Sequence, residues 1–409
     1  MNSRNTAWTA AIAFGMASGL PSDLIGGTIQ ARLSDAGMKV ADIGMLGLAT
    51  LPLMLKPLWA PAVDRFAPPL GRRRGWILIS AVLLFLSLGM LGSVDPTSSL
   101  SLMISFLALT AFCSATLDLA VNGWTCDMAA QGGASELAGW SVWGYRLAML
   151  LSSSISLALS QRLGWSNTYW LIAGILLLVV LVGLIQSEPK ASAHAPVSLV
   201  EAVVTPFRQF WHDFGLFGMV ALLLFALLFR LADSWAGNQT TTFLNGFYSK
   251  DQLSLAKALA LVAVGVGVGA AAIAERKLST RTLLLWAGVL GSVSNLGFLL
   301  VLEPSLNGLP GLYAALLLES VCGGFMSAVF VGFLMARCRS ASAATQYAVL
   351  TSVWLLGRFL TAPAGKIAQA HGWTVFFAAS ALAGIPGLLL VFWVDRSRAG
   401  RIGGSNPAR

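Results

Sequence analysis

The sequence predicts an all-α membrane protein in which twelve transmembrane helices form two pseudo-symmetric six-helix bundles. Three observations predict it. Only 11% of the 409 residues are charged and 56% are hydrophobic, with a mean hydropathy of +0.76. A soluble domain averages about 25% charged residues, so there are too few ions here to cover a water-facing surface, and lipid is the solvent for most of it. Apolar runs of spanning length recur along the whole chain. Polar features of the first six runs then reappear, in the same order, in the last six.

A helix that crosses the hydrocarbon needs roughly 20 mostly apolar residues. That ruler places spans near 7–31, 43–63, 75–94, 100–125, 136–160, 166–187, 213–236, 253–274, 282–302, 310–336, 343–367 and 373–394. Backbone polar groups must be satisfied inside lipid, which leaves helices or a closed barrel. Barrel strands would be short and alternating, whereas these runs are long and apolar throughout. The run from Ala7 has neither a basic n-region of any size nor an A-x-A exit, so it reads as the first span. Gly19 and Pro21 loosen that span just before Asp23, either as a packing kink or as the interruption typical of a substrate site between repeats. A polar, Pro-containing connector with a short amphipathic piece around Val203–Trp211 divides the chain. The expected organisation is a six-helix bundle over 1–188, a cytoplasmic linker over 189–212, a second bundle over 213–395 and a disordered basic tail over 396–409.

The net charge of +9 follows membrane topology rather than nucleic-acid binding. With a cytoplasmic N-terminus, the cytoplasmic segments hold Arg4, Arg65, Arg72, Arg73, Arg74, Lys190, Arg208, Arg276, Lys277, Arg281, Arg337, Arg339, Arg396, Arg398, Arg401 and Arg409. The opposite loops hold only Arg32, Lys39, Arg162, Lys250 and Lys366. The positive-inside rule therefore puts both termini in the cytoplasm. Cys113, Cys126, Cys322 and Cys338 show no metal or redox spacing and read as small packing residues. His194, His212 and His371 are scattered, with no HExxH. No enzyme, metal or cofactor is expected, and the chain is expected to act as a monomer.

An ionised side chain at mid-bilayer costs at least about 2.5–3.5 kcal/mol. Asp23, Lys56, Asp118, Asp127, Arg146, Arg230, Asp233, Lys257, Glu319 and Arg358 nonetheless fall in or near spans. They must line a watered cavity or pair within the bundle. Expected pairs are Asp118 with Arg146, Glu319 with Arg358, and Arg230 with Asp233 at i,i+3 spacing. Each pair serves either packing alone or solute binding and proton coupling, in which a buried carboxylate loads and releases a proton. Asp118 and Glu319 are the expected proton carriers, with the arginines holding an anionic group. Asn122, Trp124 and Gln239 complete the expected binding set. The 14 tryptophans, several beside the charged spans, would suit a large amphipathic solute.

The halves echo one another: DLIGGTIQARL (23–33) with DSWAGNQTTTFL (233–244), GYR (144–146) with GR (357–358), and GW (164–165) with GW (372–373). Two parallel six-helix repeats of this kind resemble the major facilitator superfamily. The loop PAVDRFAPPLGRRRG (61–75) is similar to that superfamily's loop motif, which implies a gating role for Asp64 and Arg65, with Asp127 as the partner of Arg65. Ordinary anchoring by Arg72–Arg74 is the other reading of that loop. Together with SGLP (18–21), LDLAVNGWTCD (117–127), GYRLAML (144–150), TTTFL (240–244), CGG (322–324), ATQYAVL (344–350) and AHGW (370–373), the chain resembles the AmpG permease family over nearly its whole length. That resemblance implies an inner-membrane importer, driven by protons, of sugar–peptide fragments of the cell wall. Two departures are visible. The family has a second aspartate and a lysine where this chain has Asn122 and Thr125, and many members continue beyond a twelfth helix. Both departures favour the related siderophore importers of the RhtX/FptX group. A siderophore is therefore the expected solute, with an anhydromuropeptide as the alternative.

Overall fold

The computed structural model describes residues 3–37, 49–96, 98–129, 134–186, 198–306, 308–339, 342–361 and 364–394, and among them every regular element is helical. The expected tail over 396–409 and the first part of the expected linker, 189–197, lie outside these residues. The helices gather into two compact units. The first is Met1–Val203 with Met335–Ala348, and the second is Val204–Leu334 with Val349–Arg409. Eight helices among the described residues are long and apolar enough to cross a membrane. Large side chains left uncovered on them, such as Leu178, Val262 and Leu389, fit a lipid environment.

The first unit starts with α1 (Ser3–Leu24), α2 (Gly27–Asp35), α3 (Pro52–Leu55), a 3-10 turn at Lys56–Leu58 and α4 (Ala60–Arg65). It continues with α5 (Arg72–Ser93), α6 (Leu100–Ala129) and α7 (Ala134–Gly183). The continuous span expected over 43–63 is not what forms. Its described part is broken into α3, the 3-10 turn and α4: Pro52 opens α3, and Pro57 and Pro61 each lack an N–H and would collide with the carbonyl four residues back in an unbroken helix. Trp59 pins this broken stretch to α6: its Nε1–H donates to Thr116 Oγ1 at 3.2 Å, and its ring lies 4.8 Å from Phe112.

Glycine sets the spacing of α1 and α7. A Cβ added at Gly15 would lie 2.1 Å from the Ser141 carbonyl oxygen, and one at Gly19 would lie 2.4 Å from that of Tyr145. From the other side, a Cβ at Gly144 would meet the Ile12 oxygen at 2.3 Å. The two backbones touch, as small residues four apart allow in membranes. Tyr145 Oη then donates to Ser22 Oγ at 3.1 Å, and Tyr169 Oη to the Leu24 carbonyl at 3.0 Å, where α1 stops.

The second unit takes α8 (Leu199–Leu228), whose first residues belong to the first unit, α9 (Leu231–Asn245) and α10 (Lys250–Glu275). It goes on with α11 (Thr280–Val293) and its 3-10 extension Ser294–Leu302, then α12 (Leu309–Ala336) and α13 (Ala343–Leu356) with the 3-10 turn Gly357–Thr361. The helices α14 (Ala364–Leu382) and α15 (Ile385–Val394) close the order. The N-terminal stretch of α8 is the amphipathic piece expected from the sequence. Val200, Val204, Phe207 and Trp211 form an exposed apolar stripe, which suits an interfacial helix. Gly164 (φ 77) in α7 and Gly372 (φ 82) in α14 take left-handed conformations at the matching GW pairs, turning the chain between the expected spans 5 and 6 and 11 and 12.

Candidate functional site

The first cluster is a buried charge network in the first unit. Asp64 at the end of α4 is 0% exposed and Arg73 in the first turn of α5 is 1% exposed. Arg73 donates from Nη1 to Asp64 Oδ1 and from Nε to Asp127 Oδ2 near the end of α6, both at 2.8 Å. Gly123 makes the room, since a Cβ there would fall 2.7 Å from the Arg73 guanidinium. Arg72 adds a contact to Asp127 at 3.6 Å. Asp64 also holds the start of α13: it accepts from the backbone N–H of Ala344 at 3.2 Å and of Thr345 at 2.8 Å, and from Thr345 Oγ1 at 2.7 Å. A helix N-terminus has unsatisfied amides and partial positive charge, so Asp64 joins Arg73 to α13 through charge-assisted bonds.

Two expectations change here. Asp127 pairs with Arg73 and Arg72, not with Arg65, because α5 begins directly beside the end of α6. Arg65 instead lies 5.5 Å over the Phe66 ring. The arginine run is also more than surface anchoring. Arg72 and Arg73 are buried, and Arg74 donates to the Leu184 carbonyl at 2.6 Å just past α7, where a cation suits a helix C-terminus.

The second cluster lies on α6, nine residues before Asp127. Lys56 Nζ donates to Asp118 Oδ2 at 2.6 Å, with side-chain exposures of 9% and 28%. The expected Asp118–Arg146 pair does not form. Arg146 on α7 is half-buried and makes no ion pair with Asp118, because the broken Pro52–Arg65 stretch reaches Asp118 first. Asn122, one turn along α6, is half-buried. Trp124 is 0% exposed and packs edge-on to Phe14 at 5.0 Å. It fills the core of the unit, contrary to the expectation that it faces a solute. Thr125 donates to the Val121 carbonyl at 2.9 Å within its own helix.

The second unit carries the Arg230–Asp233 pair at 2.5 Å, where α8 gives way to α9. The Arg230 guanidinium sits 5.0 Å over the Trp354 ring, and its Nε is buried with no hydrogen-bond partner. Cation–π stacking is worth about 2 kcal/mol when desolvated, so Trp354→Leu is expected to destabilise the second unit by about that amount. A drop in apparent melting temperature in detergent would show it, and an unchanged midpoint would remove Trp354 as the support of Arg230. Gln239 on α9 lies against Gly365, where a Cβ would be 3.2 Å from its Nε2. Glu319 on α12 accepts from Ser320 Oγ at 3.2 Å. The side chains of Asp23, Lys257 and Arg358 lie outside the described residues, as does the expected Glu319–Arg358 pair.

Sequence reasoning missed Lys56 as the partner of Asp118, and Thr345 and Ala344 as partners of Asp64. The signal for Lys56 was present as a lone lysine between prolines in an apolar run. It also missed Arg32, which donates to the Leu91 carbonyl at 2.7 Å and to that of Val94, closing the end of α5.

With this geometry in place, the chain can be set beside known proteins. Residues 6–362 match the family model described as Major Facilitator Superfamily. The Anhydromuropeptide permease of Escherichia coli (strain K12) is 37% identical over 383 residues, covering 92% of this chain and 77% of that protein. A protein of Rickettsia felis described as "Putative transporter AmpG 4" is 28% identical over 401 residues, covering 93% of this chain and 95% of its own. Among solved structures, the human organic anion transporter MFSD10 superposes with a TM-score of 0.65 at 16% identity, covering 96% of this chain and all of that one. The proton:xylose symporter XylE gives 0.64 at 11% identity, covering 97% and 95%. At such identities these two structures speak for the fold alone.

Proposed function

Because the chain belongs to the major facilitator superfamily, among its AmpG-type permeases, we propose that this membrane transporter imports anhydromuropeptides across the bacterial inner membrane by proton-driven alternating access. One observation carries the choice of solute: 37% identity to an anhydromuropeptide permease over 92% of the chain. The siderophore expectation finds no support among the relatives described above. One of its grounds is the pair Asn122 and Thr125, yet Thr125 is buried and satisfied within α6.

In this reading twelve spans form two six-helix repeats, both termini are cytoplasmic, and the protein works as a monomer with the proton gradient as its driving force. Asp118 and Glu319 carry protons. Asp23, Asn122 and Arg146 in the first repeat, and Arg230, Asp233, Gln239 and Arg358 in the second, are the residues proposed to bind solute. Asp64, Arg73 and Asp127 form the cytoplasmic gate that must release the start of α13 once per cycle, with Arg65 beside it.

Expression in a strain lacking its own anhydromuropeptide permease, and in a second strain lacking a siderophore importer, tests the choice of solute. Restored muropeptide recycling with no restored siderophore uptake is the expected result. Siderophore rescue alone would overturn the reading.

A further inference from the structure

The two cation–carboxylate pairs described above share an order of exposure. At Lys56–Asp118 the base is 9% exposed and the acid 28%. At Arg230–Asp233 the figures are 9% and 21%. In both, the cation is the more buried partner and the carboxylate the more exposed. An anionic solute that reached the exposed side of such a pair would meet the carboxylate first.

We infer that Lys56 is the cation that receives a carboxylate of the solute, and that Asp118 masks it until Asp118 takes up a proton. The inference rests on the preceding reading, in which the solute is a sugar–peptide fragment with a free carboxylate. In the resting pair the ammonium donates to Asp118 Oδ2. A proton from the outer side forms an O–H bond on Asp118, and Lys56 keeps all three of its own protons. The neutral acid no longer holds the ammonium, which turns to the solute's carboxylate. On the cytoplasmic side Asp118 loses its proton, reclaims Lys56 and displaces the solute. Proton first and solute second is thus an obligatory order, and a solute cannot slip inward without its proton.

The charged groups around Asp118 leave Lys56 as the one that acts on it among the described residues. From α7, Glu136, Arg146 and Arg162 form no ion pair with it, and the Asp23 side chain on α1 is outside the described set. From α5, Arg72 and Arg73 are engaged at Asp127 and Arg74 at Leu184. Asp64 is bound by Arg73, and Arg65 follows it at the end of α4. Asp127 is nine residues away on α6, about 14 Å along its axis.

The test is equilibrium binding of an anhydromuropeptide to the full-length protein between pH 5 and 9, with accumulation and counterflow in proteoliposomes. For the unmodified protein, affinity should fall towards high pH, by up to about tenfold per pH unit, since one proton is linked to binding. Asp118→Asn should bind with no such slope, keep counterflow exchange and lose accumulation. Lys56→Met should bind at least tenfold more weakly at every pH, and Lys56→Arg should recover part of the loss. Lys56→Met/Asp118→Asn, which leaves no unpaired charge, guards against misfolding and should bind weakly without a slope. Normal affinity in that double variant, or a retained slope in Asp118→Asn, overturns the inference while leaving the choice of solute intact. No binding by the unmodified protein at any pH overturns the choice of solute itself, and the inference with it.

Discussion

Asp64→Ala is expected to reduce transport by at least tenfold while the protein still reaches the membrane. The side chain is completely buried and serves two masters, the Arg73 guanidinium and the N-terminus of α13. Removing it takes one carboxylate partner from Arg73, and leaves two amides and the Thr345 hydroxyl without this acceptor. Breaking a buried ion pair costs about 3–5 kcal/mol, and losing a helix N-cap about 1 kcal/mol. The two costs overlap and do not add, yet either is large against the few kcal/mol that separate states of a transporter. Asp64→Asn keeps acceptors for the amides and should be milder. A native reporter sits beside the network: the buried free thiols of Cys126 and Cys338 are near enough to interact. Buried thiols react slowly, so cross-linking of that pair by a membrane-permeant oxidant should be slow in the unmodified protein and faster in Asp64→Ala, where the packing around them loosens. Equal cross-linking and transport in both would show that Asp64 does not hold the gate.

Gly144→Val is the second large effect, and it acts on folding rather than on gating. The added Cβ would lie 2.3 Å from the Ile12 carbonyl oxygen, a backbone atom that cannot rotate away. Overpacking of this kind typically costs about 1–3 kcal/mol and more where the backbone must shift. Gly15 and Gly19 fix the same contact from the α1 side, so α1 and α7 would separate along their whole seam. Gly174→Ala on the same helix is the matched control, because nothing lies within 4 Å of its Cβ position. Thermal denaturation in detergent should show a marked drop, or no folded protein, for Gly144→Val and an unchanged or raised midpoint for Gly174→Ala. Equal midpoints would mean that the two helices do not depend on this close approach.

The all-helical membrane fold was legible because it depends on composition and span length, and lipid enforces both. Local features tied to backbone chemistry were legible too. The GW turns at Gly164 and Gly372, the Arg230–Asp233 spacing and the amphipathic start of α8 are all short-range patterns. Partners that come from different helices were not. Asp118 was assigned to Arg146 because the neighbouring span supplied a cation. The choice is decided instead by Pro57 and Pro61, at the breaks of the preceding span on either side of the turn that carries Lys56. Asp127 was given to Arg65 for a similar reason, when the tight loop between α4 and α5 brings Arg73 closer. Trp124 adjoins charged residues in sequence, which suggests a cavity wall, but on a helix its direction is set by spacing, and it turns towards Phe14. Nothing local marks Ala344 and Thr345 as partners of Asp64, since 280 residues separate them from it.

Proteoliposomes decide the central claim, that this is a proton-driven anhydromuropeptide importer. Purified protein is reconstituted, an inward proton gradient is imposed, and entry of a labelled anhydromuropeptide is followed. Accumulation against its own gradient, abolished by a protonophore and absent in Asp118→Asn, is the predicted result. Uptake that only equilibrates and ignores the protonophore, or no uptake at all, would contradict it.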